Sequence, residues 1–109
     1  MTRFEATTAA EDGRIRVSLA GECDLAVGAE LSAALLDAVR RASVVVVDVA
    51  ALDFLDSTGV HGLVTAHHAA RTNGGRLYVV NSTGPVATVL DLTGVAALLS
   101  PPSGDGFPG

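Results

Sequence analysis

Leu52-Asp53-Phe54-Leu55-Asp56-Ser57-Thr58-Gly59 is the stretch that decides the fold. Just before it runs Val44-Val45-Val46-Val47-Asp48-Val49, the most β-branched run in the chain. Just after it, Val60, Leu63 and Val64 recur at helical spacing. The pattern predicts a buried strand that passes through a short loop into a helix, with Asp56-Ser57-Thr58-Gly59 at the joint. A helix start has unpaired backbone N–H groups and a partial positive charge. Asp, Ser and Thr are the residue types that satisfy those groups, and the same place suits a phosphate. The joint is a cap by necessity and a candidate site.

Working outward, Arg3 to Thr8 is a strand candidate with Phe4 and Ala6 on one face. Glu11-Asp12-Gly13 reads as a hairpin turn, because Asp-Gly tolerates the positive φ that tight hairpins require. Arg14-Ile15-Arg16-Val17-Ser18-Leu19 alternates polar and apolar without a break, a half-buried strand that Ala20-Gly21 is expected to end. Glu22-Cys23-Asp24-Leu25 reads as a loop into a helix whose stripe is Leu31, Leu35, Ala38, Val39 and Ala42. Val44 to Val49, apolar on both faces, predicts a central strand covered on both sides. The helix after the joint is expected to run to about Thr72, stopped by Asn73-Gly74-Gly75. Arg76 to Val80 is another strand. Asn81 to Pro85 is a loop that opens a short helix ending at Thr93-Gly94, and Val95 to Leu99 is read as a last short strand. The order is β-β-α-β-α-β-α-β, an α/β fold with a mixed sheet packed with helices and right-handed crossovers. Residues 1–100 form one domain, and 101–109, with three Pro and three Gly counted from Pro101, read as a disordered C-terminal tail.

The chain has 109 residues and a net charge of −5 with no Lys. A domain of this size buries roughly two-thirds of the surface its unfolded chain exposes. With three Phe, one Tyr and no Trp, the core must be built from Val, Leu and Ala. The acidic balance argues against nucleic acid or anionic lipid as a partner. Cys23 is the single cysteine, so neither an internal disulfide nor a cysteine-based metal cluster is expected. Met1-Thr2-Arg3-Phe4-Glu5 carries no apolar signal region, and no apolar run approaches the ~18 residues of a membrane span. The expected location is the cytoplasm.

At the joint, the structural reading is a helix cap in which Asp56 or Ser57 accepts N–H bonds and Gly59 lets something pack close. One cap residue suffices, yet three capping types stand in a row beside Asp53. An exposed Ser57 could accept a phosphoryl group, adding about −1.5 to −2 charges. On an acidic surface that charge is suited to breaking an interface. Other candidates fall away. Ser57 and His61 are four apart, but the Gly-x-Ser-x-Gly elbow of a serine hydrolase is missing. His61 and His68, two turns or about 10 Å apart along a helix, cannot chelate one metal ion unaided, and His67 is read with them as a helix histidine. Asn73-Gly74-Gly75 and Ser82-Thr83-Gly84-Pro85 lack a phosphate-loop pattern, so no nucleotide or other cofactor is expected. Cys23 reads as a buried core residue whose thiol Glu22 and Asp24 would make harder to ionise.

Taken together, Gly21-Glu22-Cys23-Asp24-Leu25, Val46-Val47-Asp48, Leu55-Asp56-Ser57-Thr58-Gly59 with Leu63, Gly74-Gly75-Arg76-Leu77 and Leu90-Asp91-Leu92-Thr93-Gly94-Val95 resemble, in order and spacing, an anti-sigma factor antagonist (anti-anti-sigma factor), a single STAS domain. The resemblance covers essentially residues 3 to 100. It implies a cytoplasmic bacterial regulator of transcription that catalyses nothing itself. Its unphosphorylated form would bind an anti-sigma factor that is also a serine kinase, and so release sigma factor. The kinase would phosphorylate Ser57, with Thr58 as a second acceptor candidate, the antagonist would let go, and a phosphatase would reset it. The docking face implied is Asp24, Asp56, Ser57, Thr58, Gly59 and Val60. Cys23, Val60 and Gly62 depart from the family's usual residues without removing the acceptor. The rival readings are a STAS scaffold subunit of a transporter or stress complex, with Ser57 only a cap, and, more remotely, a small serine hydrolase using Ser57 and His61.

Overall fold

The computed structural model describes residues 4–101. Strand β1 (Glu5–Glu11) and strand β2 (Arg14–Cys23) form an antiparallel hairpin. Asp12 and Gly13, the two residues between them, have φ of 44° and 81°. That double positive φ matches the twist of the flanking strands, which explains the Asp-Gly choice. A single 3₁₀ turn (Leu25–Val27) leads into helix α1 (Gly28–Arg41). Strand β3 (Val44–Leu55) then pairs parallel with β2, and helix α2 (Ser57–Thr72) crosses to strand β4 (Arg76–Val80), parallel to β3. Helices α3 (Gly84–Leu92) and α4 (Ala96–Leu99) complete the described chain. The sheet order is β1-β2-β3-β4, mixed, with β3 inside.

Ile15, Val17 and Leu19 on β2, Val45, Val47 and Val49 on β3, and Leu77 and Val79 on β4 share one face. They form a single core with Leu31 and Leu35 of α1, Leu63 and Ala66 of α2, Val86 and Leu90 of α3, and Leu99 of α4. Val46, Tyr78 and Val80 on the opposite face are buried too, so β3 is closed on both sides, as its unbroken apolar run predicts. In register, Arg16, Val46 and Tyr78 stand side by side. Arg16 pairs with Glu11 at 3.8 Å and with Asp48 at 3.5 Å.

Four expectations are corrected. Strand β2 does not stop at Ala20-Gly21 but continues through Glu22 to Cys23, and Gly21, at φ 89°, sits where the pairing steps out of register. Strand β3 does not stop at Val49 but runs to Leu55. Against β2 it carries an extra residue between Asp48 and Ala51 and another between Leu52 and Phe54. These bulges bend the strand and break the two-residue alternation. Asp48 holds the first of them: its Oδ1 accepts from the Ala50 N–H at 2.9 Å and from Asn81 Nδ2 at 3.1 Å. The first helix begins only at Gly28, after the 3₁₀ turn. The last element, read as a strand over Val95 to Leu99, is the one-turn helix α4, which seats Leu99 in the core. The element order therefore ends in α rather than β. The tail expected over 101–109 lies, apart from Pro101, outside the described residues.

Candidate functional site

Three parallel strands point their C-terminal ends the same way, and the candidate site lies there. The Asp56 N–H donates to the Cys23 carbonyl at 3.2 Å, which ties the end of β3 to the end of β2. Asp56 is extended (φ −103°, ψ −175°) and is the N-cap of α2, its Oδ1 accepting from the Gly59 N–H at 3.1 Å. The question left open by the sequence, Asp56 or Ser57 as cap, is answered for Asp56. Ser57 is the first helical residue and is exposed; its Oγ makes no hydrogen bond among the described residues. A hydroxyl without an imidazole or carboxylate partner is not an activated nucleophile.

Asp24 is half-buried and held in place. Its Oδ1 accepts from the Ala26 N–H at 3.0 Å, and its carbonyl accepts from the Val27 N–H at 3.1 Å. Between the two acids lies Cys23, with no exposed surface. Burial pushes its thiol up to about 11, and the charges of Asp56 and then Asp24 push the same way. The expected direction holds, but the second carboxylate is Asp56 rather than Glu22. The charges of both acids act on one buried sulfur, and the Asp56 N–H bond to the Cys23 carbonyl brings the Asp24 turn beside the start of α2.

The remaining joint residues face inward. A Cβ at Gly59 would collide with Leu55 Cδ1 and come within 2.9 Å of Cys23 Sγ, so only glycine lets α2 sit this close to the strand ends. Thr58 is half-buried, and its methyl lies over Gly28, where a Cβ would stand 2.7 Å away. Gly62, buried, faces Leu31 and Ser32 of α1. Its helix-propensity cost of up to ~1 kcal/mol accompanies a close α1–α2 approach. Val60, expected to offer apolar contact to a partner, is only 7% exposed and belongs to the core. The exposed apolar group at this end is Phe54, 45% exposed, opposite Glu22 in the β2–β3 register. Sequence reasoning missed it because it ended the strand at Val49 and left Phe54 in a loop with no face assigned, whereas β3 runs to Leu55.

Of the histidines, His61 and His68 are exposed and His67 is buried. Among the described residues no three His, Cys, Asp or Glu side chains gather as a metal site, and no helix is long and apolar enough to cross a membrane.

Residues 6–100 match the family model described as "Mlab, STAS domain". The chain belongs to the STAS domain family. Solved structures resemble it over most of its length. An anti-sigma factor antagonist from Mycobacterium paratuberculosis is 24% identical, with a TM-score of 0.82 over 94% of this chain and 90% of that one. The antagonist SpoIIAA in its unphosphorylated form is 19% identical, with a TM-score of 0.75 over 85% and 84%. SpoIIAA from Bacillus in its phosphorylated form is 17% identical, with a TM-score of 0.68 over 94% and 93%. A search of curated proteins finds no match. These likenesses agree with the mixed four-stranded sheet and four helices described above.

Proposed function

We propose that this chain is an anti-sigma factor antagonist acting in the bacterial cytoplasm, a phosphoprotein switch in transcription regulation. Its unphosphorylated form docks, through the Asp24 turn, the Asp56–Thr58 joint and Phe54, on an anti-sigma factor that is also a serine kinase. Phosphorylation of Ser57 ends the complex and a phosphatase restores it. The observation that carries this reading is the division of labour at the joint. Asp56 does the capping, so the Ser57 hydroxyl is exposed and, among the described residues, unbonded, available to another protein's active site. The fold likeness to SpoIIAA, a protein solved in both phosphorylation states, supports it.

The sign of the effect follows from charge. A phosphoserine brings about −1.5 to −2 charges beside Asp56 and Asp24, and with them makes a face that repels an acidic or desolvating partner surface. Thr58, with its methyl seated over Gly28, is the poorer acceptor. Under this reading the chain serves as substrate and ligand; among the described residues no imidazole or carboxylate hydrogen-bonds the Ser57 hydroxyl, which argues against the hydrolase reading. Binding of wild type, Ser57→Ala and Ser57→Asp to the anti-sigma kinase, measured by calorimetry, tests the switch. Ser57→Ala should bind like wild type and Ser57→Asp at least tenfold more weakly. Equal binding by Ser57→Asp would sink it. Under the scaffold reading, all three variants join their complex alike.

A further inference from the structure

At the other end of the sheet, where β3 and β4 begin, a cavity of about 340 Å³ is lined by His67, Arg71, Gly74, Gly75, Arg76, Tyr78, Leu98 and Ser100. The lining holds two guanidinium groups and no carboxylate, in a chain whose net charge is −5. Arg16 and Arg41 sit in ion pairs, but neither Arg71 nor Arg76 has an acidic partner among the described residues. His67 adds an independent observation. It is 6% exposed; its Nδ1 lies 3.4 Å from the Leu77 carbonyl, and its Nε2 is closed off from solvent with no partner. A buried polar nitrogen left unpaired is uncommon and asks for an explanation. Tyr78 and Leu98 supply apolar wall, Leu98 being 40% exposed.

We propose that this cavity binds a small organic oxyanion, a phosphate monoester or a carboxylate carried on an apolar body. Arg71 and Arg76 take the oxyanion, for which paired guanidinium N–H groups are well shaped. His67 stands in the same wall, its Nδ1 beside the Leu77 carbonyl and its unpartnered Nε2 the further polar group the ligand would meet. The apolar body lies on the Tyr78 ring and Leu98. The site stands apart from Ser57, at the opposite ends of the parallel strands, and does not depend on the switch.

The test is an amide NMR titration of the full ¹⁵N-labelled chain with inorganic phosphate, phenyl phosphate and benzoate. Saturable shifts are expected at Gly74, Gly75, Arg76 and Ser100, with Asp24, Asp56 and Ser57 unmoved. One of the two aromatic anions should bind more tightly than inorganic phosphate; which one tells phosphate monoester from carboxylate. Arg71→Gln with Arg76→Gln, both at exposed positions, should weaken binding about tenfold, equivalent to about 1.4 kcal/mol. Leu98→Ser should reduce the aromatic anion to the affinity of inorganic phosphate. Shifts that never saturate, that saturate elsewhere, or that persist unchanged in the double arginine variant would overturn the proposal.

Discussion

Replacing Asp56 and Ser57 separately by alanine asks which of the two adjacent residues holds the helix start. The Asp56 carboxylate accepts the Gly59 N–H at 3.1 Å, a half-buried bond at the first turn of a 16-residue helix. Loss of such a cap costs about 1 kcal/mol, within a range of roughly 0.5 to 2. The favourable charge at the helix N-terminus adds about 0.3 to 1 kcal/mol. Relief of repulsion from Asp24 offsets part of that, so about 1 to 1.5 kcal/mol is expected. In a domain of this size each 1 kcal/mol lowers Tm by about 4 to 8 °C. Asp56→Ala should therefore melt about 4 to 12 °C below wild type. Ser57 Oγ bonds nothing among the described residues, so Ser57→Ala should stay within about 0.5 kcal/mol, the ordinary range for a surface change. Thermal and urea denaturation followed by circular dichroism read both. A Ser57→Ala loss equal to that of Asp56→Ala would mean that the serine is structural and not a free acceptor.

Further outcomes are expected elsewhere. Gly59→Ala drives a methyl into Leu55 and Cys23; overpacking of this kind costs about 1 to 3 kcal/mol, read as a lower urea midpoint with the slope unchanged. Asp48→Ala removes the acceptor of the Ala50 N–H and of Asn81 and the carboxylate paired with Arg16. It should cost about 1 to 3 kcal/mol in the same assay. Cys23, with its thiol near 11 against an ordinary 9.0, stays protonated in the folded chain where the unfolded chain would ionise. Unfolding then releases a proton, so stability is full below pH 9 and declines between 9 and 11, by at most about 1.4 kcal/mol per pH unit. Cys23→Ala should flatten that decline, and a maleimide should label wild type only on unfolding.

Most of the fold is legible in local pattern. The Asp12-Gly13 turn, the alternation of Arg14 to Leu19, the run Val44 to Val49 and the Asn73-Gly74-Gly75 stop each carry their own chemistry, and each lies where the sequence places it. The failures share a cause: tertiary pairing overrode local pattern. Ala50, Ala51, Asp53 and Phe54 look unlike a strand because two bulges against β2 shift the alternation, and β2 itself supplies the partner that keeps them extended. Gly21 reads as an ending because glycine usually is one, yet its positive φ serves that register step. Val95 to Leu99 has β-formers at its ends, but it closes a turn of helix that seats Leu99. At the joint, Ser57 follows the capping Asp56, and the bond from the Asp56 N–H to the Cys23 carbonyl sets the Asp24 turn next to them. Val60 does not join them, because the start of α2 turns that side chain toward the core, and Phe54 takes the exposed place.

The switch stands or falls on Ser57 being a kinase substrate. Intact mass after incubation with ATP, Mg²⁺ and the anti-sigma kinases of the same cell tests it most directly. One added phosphate is expected on wild type and none on Ser57→Ala. No added phosphate with any of those kinases, or the same phosphate on Ser57→Ala, would contradict it.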